Sequence, residues 1–318
     1  MFFSQFGGHN AGIIALMALD SLFKELRRRR VDDDRSYYGA RRAAHQDYAS
    51  ENAQVFCFEN YRVDELQSEL SHAKNPALQM LACMYQPPRK FPDMSNFRLG
   101  PNVFDRIPLD WIVFATADKA FKTPQLIGHG VTTRVPWTGD PQTLPRGWQG
   151  IVRRCYENGL NTNQKCNTLV GLFINIENDF RQQGWALKAV EGMKAIARGA
   201  GLSSLIIPLR LPTRYEKDNA TVEFKDFALL KREDGEYRDH WLRLHVRAGA
   251  EVIALCDSSH QHAMHLEDFY QQFKATGITS SGYHLALQNG EWFRAFIDLE
   301  REFALINEGC VWVQYRDV

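Results

Sequence analysis

The sequence has no excess of charge of either sign and few cysteines. Its 318 residues include 38 Lys plus Arg and 38 Asp plus Glu, so the formal net charge at pH 7 is zero. A neutral chain has no overall attraction to nucleic acid or to an anionic membrane, and we expect neither as a partner. The six cysteines stand singly, without a C-x-x-C pair, which excludes a zinc knuckle and a thioredoxin-like redox pair. Free thiols fit a reducing compartment, so we expect a cytoplasmic protein.

Long hydrophobic runs are also scarce. The apolar run at residues 11–19 is too short to cross a bilayer, and basic residues follow it, whereas they precede the apolar core of a signal peptide. Apolar residues at helical spacing predict a helix over 13–26. The polar segment 35–53 predicts a linker or a short exposed helix. We therefore divide the chain into an N-terminal helical extension and linker, 1–53, and one domain, 54–318.

A regular alternation of strand and helix patterns begins at residue 54. Apolar residues make up 44% of the chain and charged residues 24%, the values of a globular protein. The patterns predict strands at 54–58, 111–117, 126–135, 168–177, 205–211, 251–256, 292–299 and 310–315, and helices at 63–72, 76–85, 148–158 and 186–200. This order predicts an α/β (α+β) fold in which helices flank a sheet.

The most informative stretch is a strand, loop, helix and strand at residues 168–211. The backbone N–H groups that open a helix have no acceptor within the helix and lie at the positive end of its dipole. Gly184, in the loop before the helix, has no Cβ, so a phosphate can approach the main chain there. The loop matches neither G-x-x-x-x-G-K-[ST] nor G-x-G-x-x-G. It predicts an anion site, although a lone glycine is also compatible with an ordinary turn.

The R-x-x-G-x-A pattern of this loop resembles the pyrophosphate-binding loop of the GNAT acetyltransferase superfamily. Three more segments resemble the GNAT-like domains of polyketide-synthase loading modules and their free-standing relatives. These segments are LPRGW at 144–148, PLRLPT at 208–213 and DHWLRLHVRAG at 239–249. The sequence departs from that pattern where Leu211 is inserted and where His240 replaces a proline. The resemblance covers about residues 110–318.

The resemblance implies a mostly antiparallel twisted sheet flanked by helices, and an acyl-coenzyme A-binding catalytic domain at 54–318. It places coenzyme A on the loop residues Arg181, Gln182, Gln183, Gly184, Trp185 and Ala186. The implied substrate is acetyl- or malonyl-coenzyme A. The implied reaction is decarboxylation of a malonyl thioester to acetyl, with or without S-acyl transfer to an acyl-carrier protein.

Decarboxylation leaves an enolate, whose oxygen must be stabilised by hydrogen-bond donors. The resemblance assigns these donors to Thr213 and His245, and Arg247 is a candidate for binding the substrate carboxylate. Each residue is also compatible with a structural role. Thr213 could end a strand, His245 could pack beside Trp241, and Arg247 could form a surface salt bridge.

Other functions remain open from the sequence. One is N-acetyl transfer from acetyl-coenzyme A to a small-molecule amine, and another is a non-enzymatic acyl-coenzyme A-binding subunit. No metal is expected. His260, His262 and His265 have no acidic residue at ligand spacing and H-E-x-x-H is absent, so they predict a loop of solvated histidines. The absence of G-x-S-x-G disfavours hydrolase chemistry.

Overall fold

The computed structural model describes residues 42–46, 53–84, 107–116, 123–160, 165–275, 277–316 and 318. The helix predicted at 13–26 and most of the predicted extension 1–53 lie outside these residues. None of the helices in the described ranges is both long enough and apolar enough to cross a membrane.

The described residues form a ten-stranded sheet. Its strands are β1 Arg42–Gln46, β2 Ala53–Tyr61, β3 Leu109–Thr116, β4 Leu126–Val135, β5 Thr168–Ile176, β6 Ser204–Leu209, β7 Glu251–His265, β8 Gly282–Gln288, β9 Glu291–Asp298 and β10 Phe303–Arg316. Their order is β1-β2-β3-β4-β5-β6-β10-β9-β8, and β7 pairs with β10. All neighbouring pairs are antiparallel except β5 and β6, which are parallel. The predicted mixed α/β fold with a mostly antiparallel sheet is confirmed.

Helices cover both faces of the sheet. They are α1 Val63–Ser71, α2 Pro76–Met84, α3 Gly147–Leu160, α4 Trp185–Gly199, α5 Phe224–Leu229, α6 His240–Arg247 and α7 Leu266–Gln272. Side chains alternate along the strands, so β3 sends Trp111 and Val113 into the core under α1, α2 and α3. Ile112 and Phe114 of the same strand pack in the second core, under α4.

Two local predictions are wrong and one strand is missing from the prediction, each because strand pairing overrides a weak local pattern. The segment predicted as a linker or exposed helix contains β1, which pairs with β2 along its whole length, so the sheet extends before residue 54. The stretch predicted as a loop of solvated histidines lies in β7, where it pairs with the first half of β10. β8 was not predicted, and it forms a hairpin with β9.

Candidate functional site

The pairing of the two parallel strands stops after the first third of β5. Only Thr168, Leu169 and Val170 pair with β6, although β5 continues for six more residues. The first five side chains of β5 are buried, and the last four are half-buried. Parallel strands that separate in this way leave a wedge-shaped opening at their carboxyl ends. The backbone groups along the strand edge in such an opening can hydrogen-bond an extended ligand.

The predicted anion loop lies directly after this opening. Gly184 precedes α4 with a φ of +82°, a left-handed conformation that favours glycine. A Cβ built on Gly184 would meet no heavy atom within 4 Å among the described residues, so the main chain there faces open space. The loop therefore leaves the N-terminus of a 15-residue helix facing open space, a position that favours anions in proteins.

Side chains of the loop fold back and hold its main chain in place. Arg181 Nε donates to the Ile176 carbonyl at 3.1 Å, and Gln183 Nε2 donates to the Asp179 carbonyl at 3.0 Å. Trp185 is buried against Phe114, with ring centroids 5.7 Å apart. These contacts leave the main chain, rather than the side chains, as the part of the loop suited to bind a phosphate.

Thr213 lies just beyond β6, in a short 3₁₀ helix, so it does not end a strand. Its backbone N–H donates to Asp239 Oδ2 at 3.0 Å, and its hydroxyl lies 3.0 Å from His240 Nδ1. Asp239 in turn caps α6 by accepting from the backbone N–H groups of Trp241 and Leu242. The imidazole beside Thr213 is therefore that of His240, the residue that replaces the expected proline.

His245 is completely buried on the other side of α6. Its Nδ1 lies 2.7 Å from the hydroxyl of Tyr315, and its ring packs edge-to-face on Trp241 with centroids 4.5 Å apart. Its Nε2 has no hydrogen-bond partner among the described residues. Burial, with a smaller effect of Lys194, lowers the pKa of His245 to about 3. The ring is therefore neutral near pH 7, in a packed aromatic setting.

Tyr315 shows where His245 lies relative to the opening. In the β10–β6 register Tyr315 pairs with Leu205, and Leu205 also pairs with Leu169 of β5. His245 therefore contacts the sheet at the level where β5 and β6 are still joined. Thr213, by contrast, follows the end of β6 where the two strands have separated.

Arg247 lies apart from both Thr213 and His245. Because residues two apart on a helix do not face each other, α6 directs Arg247 away from His245. Its side chain is 65% exposed, and its Nε and Nη2 donate to the two oxygens of Glu236 at 2.7 and 2.5 Å. The expected role in binding a substrate carboxylate is not supported, because this guanidinium is occupied in a surface ion pair.

A second polar group was missed by the sequence analysis. Arg210, the first residue after β6, donates from Nε to Glu308 at 2.6 Å and from its two terminal nitrogens to Glu291 at 3.0 and 2.8 Å. The other oxygen of Glu308 lies 3.1 Å from His262 Nε2 and 3.5 Å from His260 Nδ1. We call these five residues the Glu308 cluster.

The charges of the cluster are mutually stabilised. Burial opposes ionisation of Glu308, but Arg210 and the two histidines outweigh it and hold the pKa of Glu308 well below its usual range. Burial lowers the pKa of His260. The i, i+2 spacing of the histidines was the one sequence signal for this group. Its carboxylate stands 46 residues from His262, where no local motif can show it.

Contacts connect the cluster to the opening. Trp148 Nε1 donates to the Leu172 carbonyl at 3.0 Å, in the part of β5 that has separated from β6. The Trp148 ring also contacts His260, with centroids 5.9 Å apart. Trp148 therefore links the cluster to the separated part of β5, and Arg210 follows directly after the last residue of β6.

No family model matches the chain. A curated relative from Aspergillus versicolor, described as arginine N-acetyltransferase avaD, is 28% identical over 130 residues. The match covers 39% of this chain and 44% of the relative, so it spans less than half of that protein's length.

Solved structures also resemble the chain. They include the loading GNATL domain of CurA from Lyngbya majuscula, with a TM-score of 0.43 and 15% identity over 83% of this chain and 97% of that one. The GphF GNAT-like decarboxylase in complex with isobutyryl-CoA has a TM-score of 0.36 and 14% identity, over 64% of this chain and 77% of that one. An IAA acetyltransferase from Bacillus cereus has a TM-score of 0.33 and 10% identity, over 82% of this chain and 99% of that one. These four proteins are described as two acetyltransferases, a loading GNATL domain and a GNAT-like decarboxylase.

Proposed function

We propose that the chain is a GNAT-type acyltransferase that binds a coenzyme A thioester between β5 and β6 and transfers its acyl group to an amine. One observation carries the proposal. The pairing of β5 with β6 stops after three residues, and the loop that follows presents Gly184 and the start of α4 to open space.

The two parts of this site suit the two parts of coenzyme A. The pantetheine arm carries amide groups, which can pair with the separated edge of β5 as an added strand does. The pyrophosphate is an anion, which the N–H groups and the dipole at the start of α4 favour. The thioester then lies toward the carboxyl ends of β5 and β6, where Thr213 and His240 stand.

In transfer to an amine the new C–N bond replaces the thioester C–S bond, and coenzyme A leaves as a thiolate that takes up a proton. The acceptor must lose a proton, which requires a base. His240 is exposed, and its Nδ1 is held by the Thr213 hydroxyl at 3.0 Å, so it is the base we propose. The description of the curated relative as an arginine N-acetyltransferase supports an amine or guanidine acceptor.

The resemblance to loading-module domains supports a second candidate, decarboxylation of a malonyl thioester with or without S-acyl transfer to an acyl-carrier protein. Thr213 and an imidazole would then donate to the enolate oxygen. The contact between Thr213 and His240 favours His240 for that imidazole. The resemblance assigns it to His245, whose Nδ1 contacts Tyr315 and whose Nε2 is buried at the level where β5 and β6 are still joined.

One experiment separates the two candidates. The protein is incubated with acetyl-coenzyme A and arginine, and separately with malonyl-coenzyme A, and the products are identified by mass spectrometry. Acetylated arginine or a related amine supports the first candidate. Carbon dioxide release with formation of acetyl-coenzyme A supports the second and contradicts the first. Neither product from a folded protein that binds coenzyme A would favour a binding subunit.

The coenzyme A site itself is tested with a matched pair of glycines. Gly184 and Gly201 flank α4, both have a left-handed φ, and both face open space. Either change to valine should cost a similar amount of stability, about 1–2 kcal/mol. Only Gly184→Val should also weaken coenzyme A binding, by at least about tenfold. Equal affinity of the two folded variants by calorimetry would remove the assignment.

A further inference from the structure

The side chains of β7 and β10 form a set of ligand-type atoms at one point of the sheet. His260 and His262 are two residues apart on β7, so they lie on the same face. Glu308 of β10 is directly opposite His260 in the strand register. One ligand atom from each of the three residues lies within 4.8 Å of the other two.

Both distances from the Glu308 carboxylate to the histidine nitrogens suit a small divalent ion. Metal bonds to histidine nitrogen and carboxylate oxygen are about 2.0–2.2 Å long, so ligand atoms around a tetrahedral or octahedral ion stand about 3.0–3.5 Å apart. Glu308 Oε1 lies 3.1 Å from His262 Nε2 and 3.5 Å from His260 Nδ1. Two histidines with one carboxylate form a nitrogen and oxygen set used by zinc and related transition metals.

Arg210 does not close this site. Its Nε binds Oε2 of Glu308, which leaves Oε1 toward the histidines. Its positive charge is also shared with Glu291, whose two oxygens it binds. Apart from the histidines, one guanidinium against two carboxylates gives the Glu308 cluster a net charge of −1. A partly buried group of this charge favours a further cation.

We propose that His260, His262 and Glu308 bind a divalent transition-metal ion of the zinc class, with Arg210 orienting the carboxylate from behind. A ligating carboxylate is commonly fixed by such a hydrogen bond to its second oxygen. The proposal reverses the expectation from the sequence, because the carboxylate reaches the histidines only through the pairing of β7 with β10. It does not depend on the proposed acyltransferase function.

The test is a titration of the protein, purified without a histidine tag and stripped with chelator, with zinc ion in a calorimeter. We expect one equivalent to bind, with the same stoichiometry by elemental analysis. His262→Ala should weaken binding by at least about tenfold, and so should Glu308→Gln. If Glu308→Gln does not fold, the half-buried His262→Ala variant decides the question.

His265→Ala is the matched control, because His265 is exposed on the same strand outside the three ligands. It should bind zinc like the parent protein. No binding by the parent, or equal binding by His262→Ala, would overturn the proposal. Gly184→Val should bind zinc normally, so failure of the metal site and failure of the coenzyme A site give different results.

Discussion

Two regions of the sheet contrast in how they are assembled. The opening is made by residues 168–209, one continuous segment in which β5, the loop, α4 and β6 follow each other directly. The Glu308 cluster draws its residues from the end of β6 and from β7, β9 and β10, with up to 98 residues between members that touch. The first region is specified locally, and the second depends on the register of distant strands.

This difference predicts different responses to substitution. A change in the loop exposes no buried charge, so it should alter binding more than folding. A change in the cluster leaves a buried partner without its counter-charge, so it should alter folding first. The following variants measure how far the contrast holds.

The largest effect is expected for Arg210→Met. The Glu308 side chain is 7% exposed, and removal of Arg210 leaves its carboxylate without its guanidinium. We expect the free energy of unfolding to fall by about 3 kcal/mol in urea titrations near pH 7. Arg301 also forms an ion pair, but its side chain is 84% exposed, so Arg301→Met should change the free energy of unfolding by less than about 0.5 kcal/mol. A similar small loss for both would show that the cluster is not needed for folding.

The next effect concerns His240, which lies beside Thr213 beyond the end of β6. If His240 takes the proton from the acceptor amine, His240→Ala should lower kcat about a hundredfold, equivalent to about 2.7 kcal/mol. Coenzyme A affinity should stay unchanged, because α4 and its loop are untouched. A matched His245→Asn variant tests the level of the sheet where β5 and β6 are still joined, and it should keep most of the parent's turnover. The reverse pattern would return the catalytic role to His245.

A third effect concerns stability against pH. The pKa of His245 is about 3 in the folded protein and near 6.5 in the unfolded chain. Its neutral form therefore supports folding fully above about pH 6.5, and this support is lost as the pH falls toward 3. Between pH 7 and pH 5 the loss is about 2 kcal/mol.

Unfolding measured at both pH values checks this expectation. The drop in stability between pH 7 and pH 5 should be smaller for His245→Asn than for the parent by that amount. The same substitution at the exposed His72 should leave the drop unchanged. Equal drops in all three proteins would contradict the buried, neutral state of His245.

The smallest effect reports on the pairing of β7 with β10 next to the cluster. Cys256 of β7 lies opposite Cys310 of β10, and a register shift separates this pair from the pairing of Glu308 with His260. A hydrogen bond from Cys310 lowers the pKa of Cys256, whereas burial raises the pKa of Cys310. Iodoacetamide at pH 7.5 should therefore alkylate Cys256 before Cys310, by at least about tenfold in rate. Equal rates by peptide mass analysis would contradict this pairing.

Local sequence patterns were sufficient to predict most strands of the sheet and the loop before α4. The strand at 126–135 was predicted with its observed bounds, and α4 within one residue at each end. The reason is that apolar spacing, a glycine before the helix and a glycine after it all favour the same local structure. Such agreement needs no information from distant parts of the chain.

Tertiary structure decided the rest, because the deciding contacts join residues far apart in sequence. It placed His240 rather than His245 beside Thr213, since α6 is a helix whose cap, Asp239, binds the Thr213 main chain. It also brought Glu308 to the two histidines through the β7–β10 register. By itself the sequence determined the loop and helix that can bind an anion. The folded chain determined which side chains surround it, because hydrogen bonds between strands and at helix caps do not follow sequence distance.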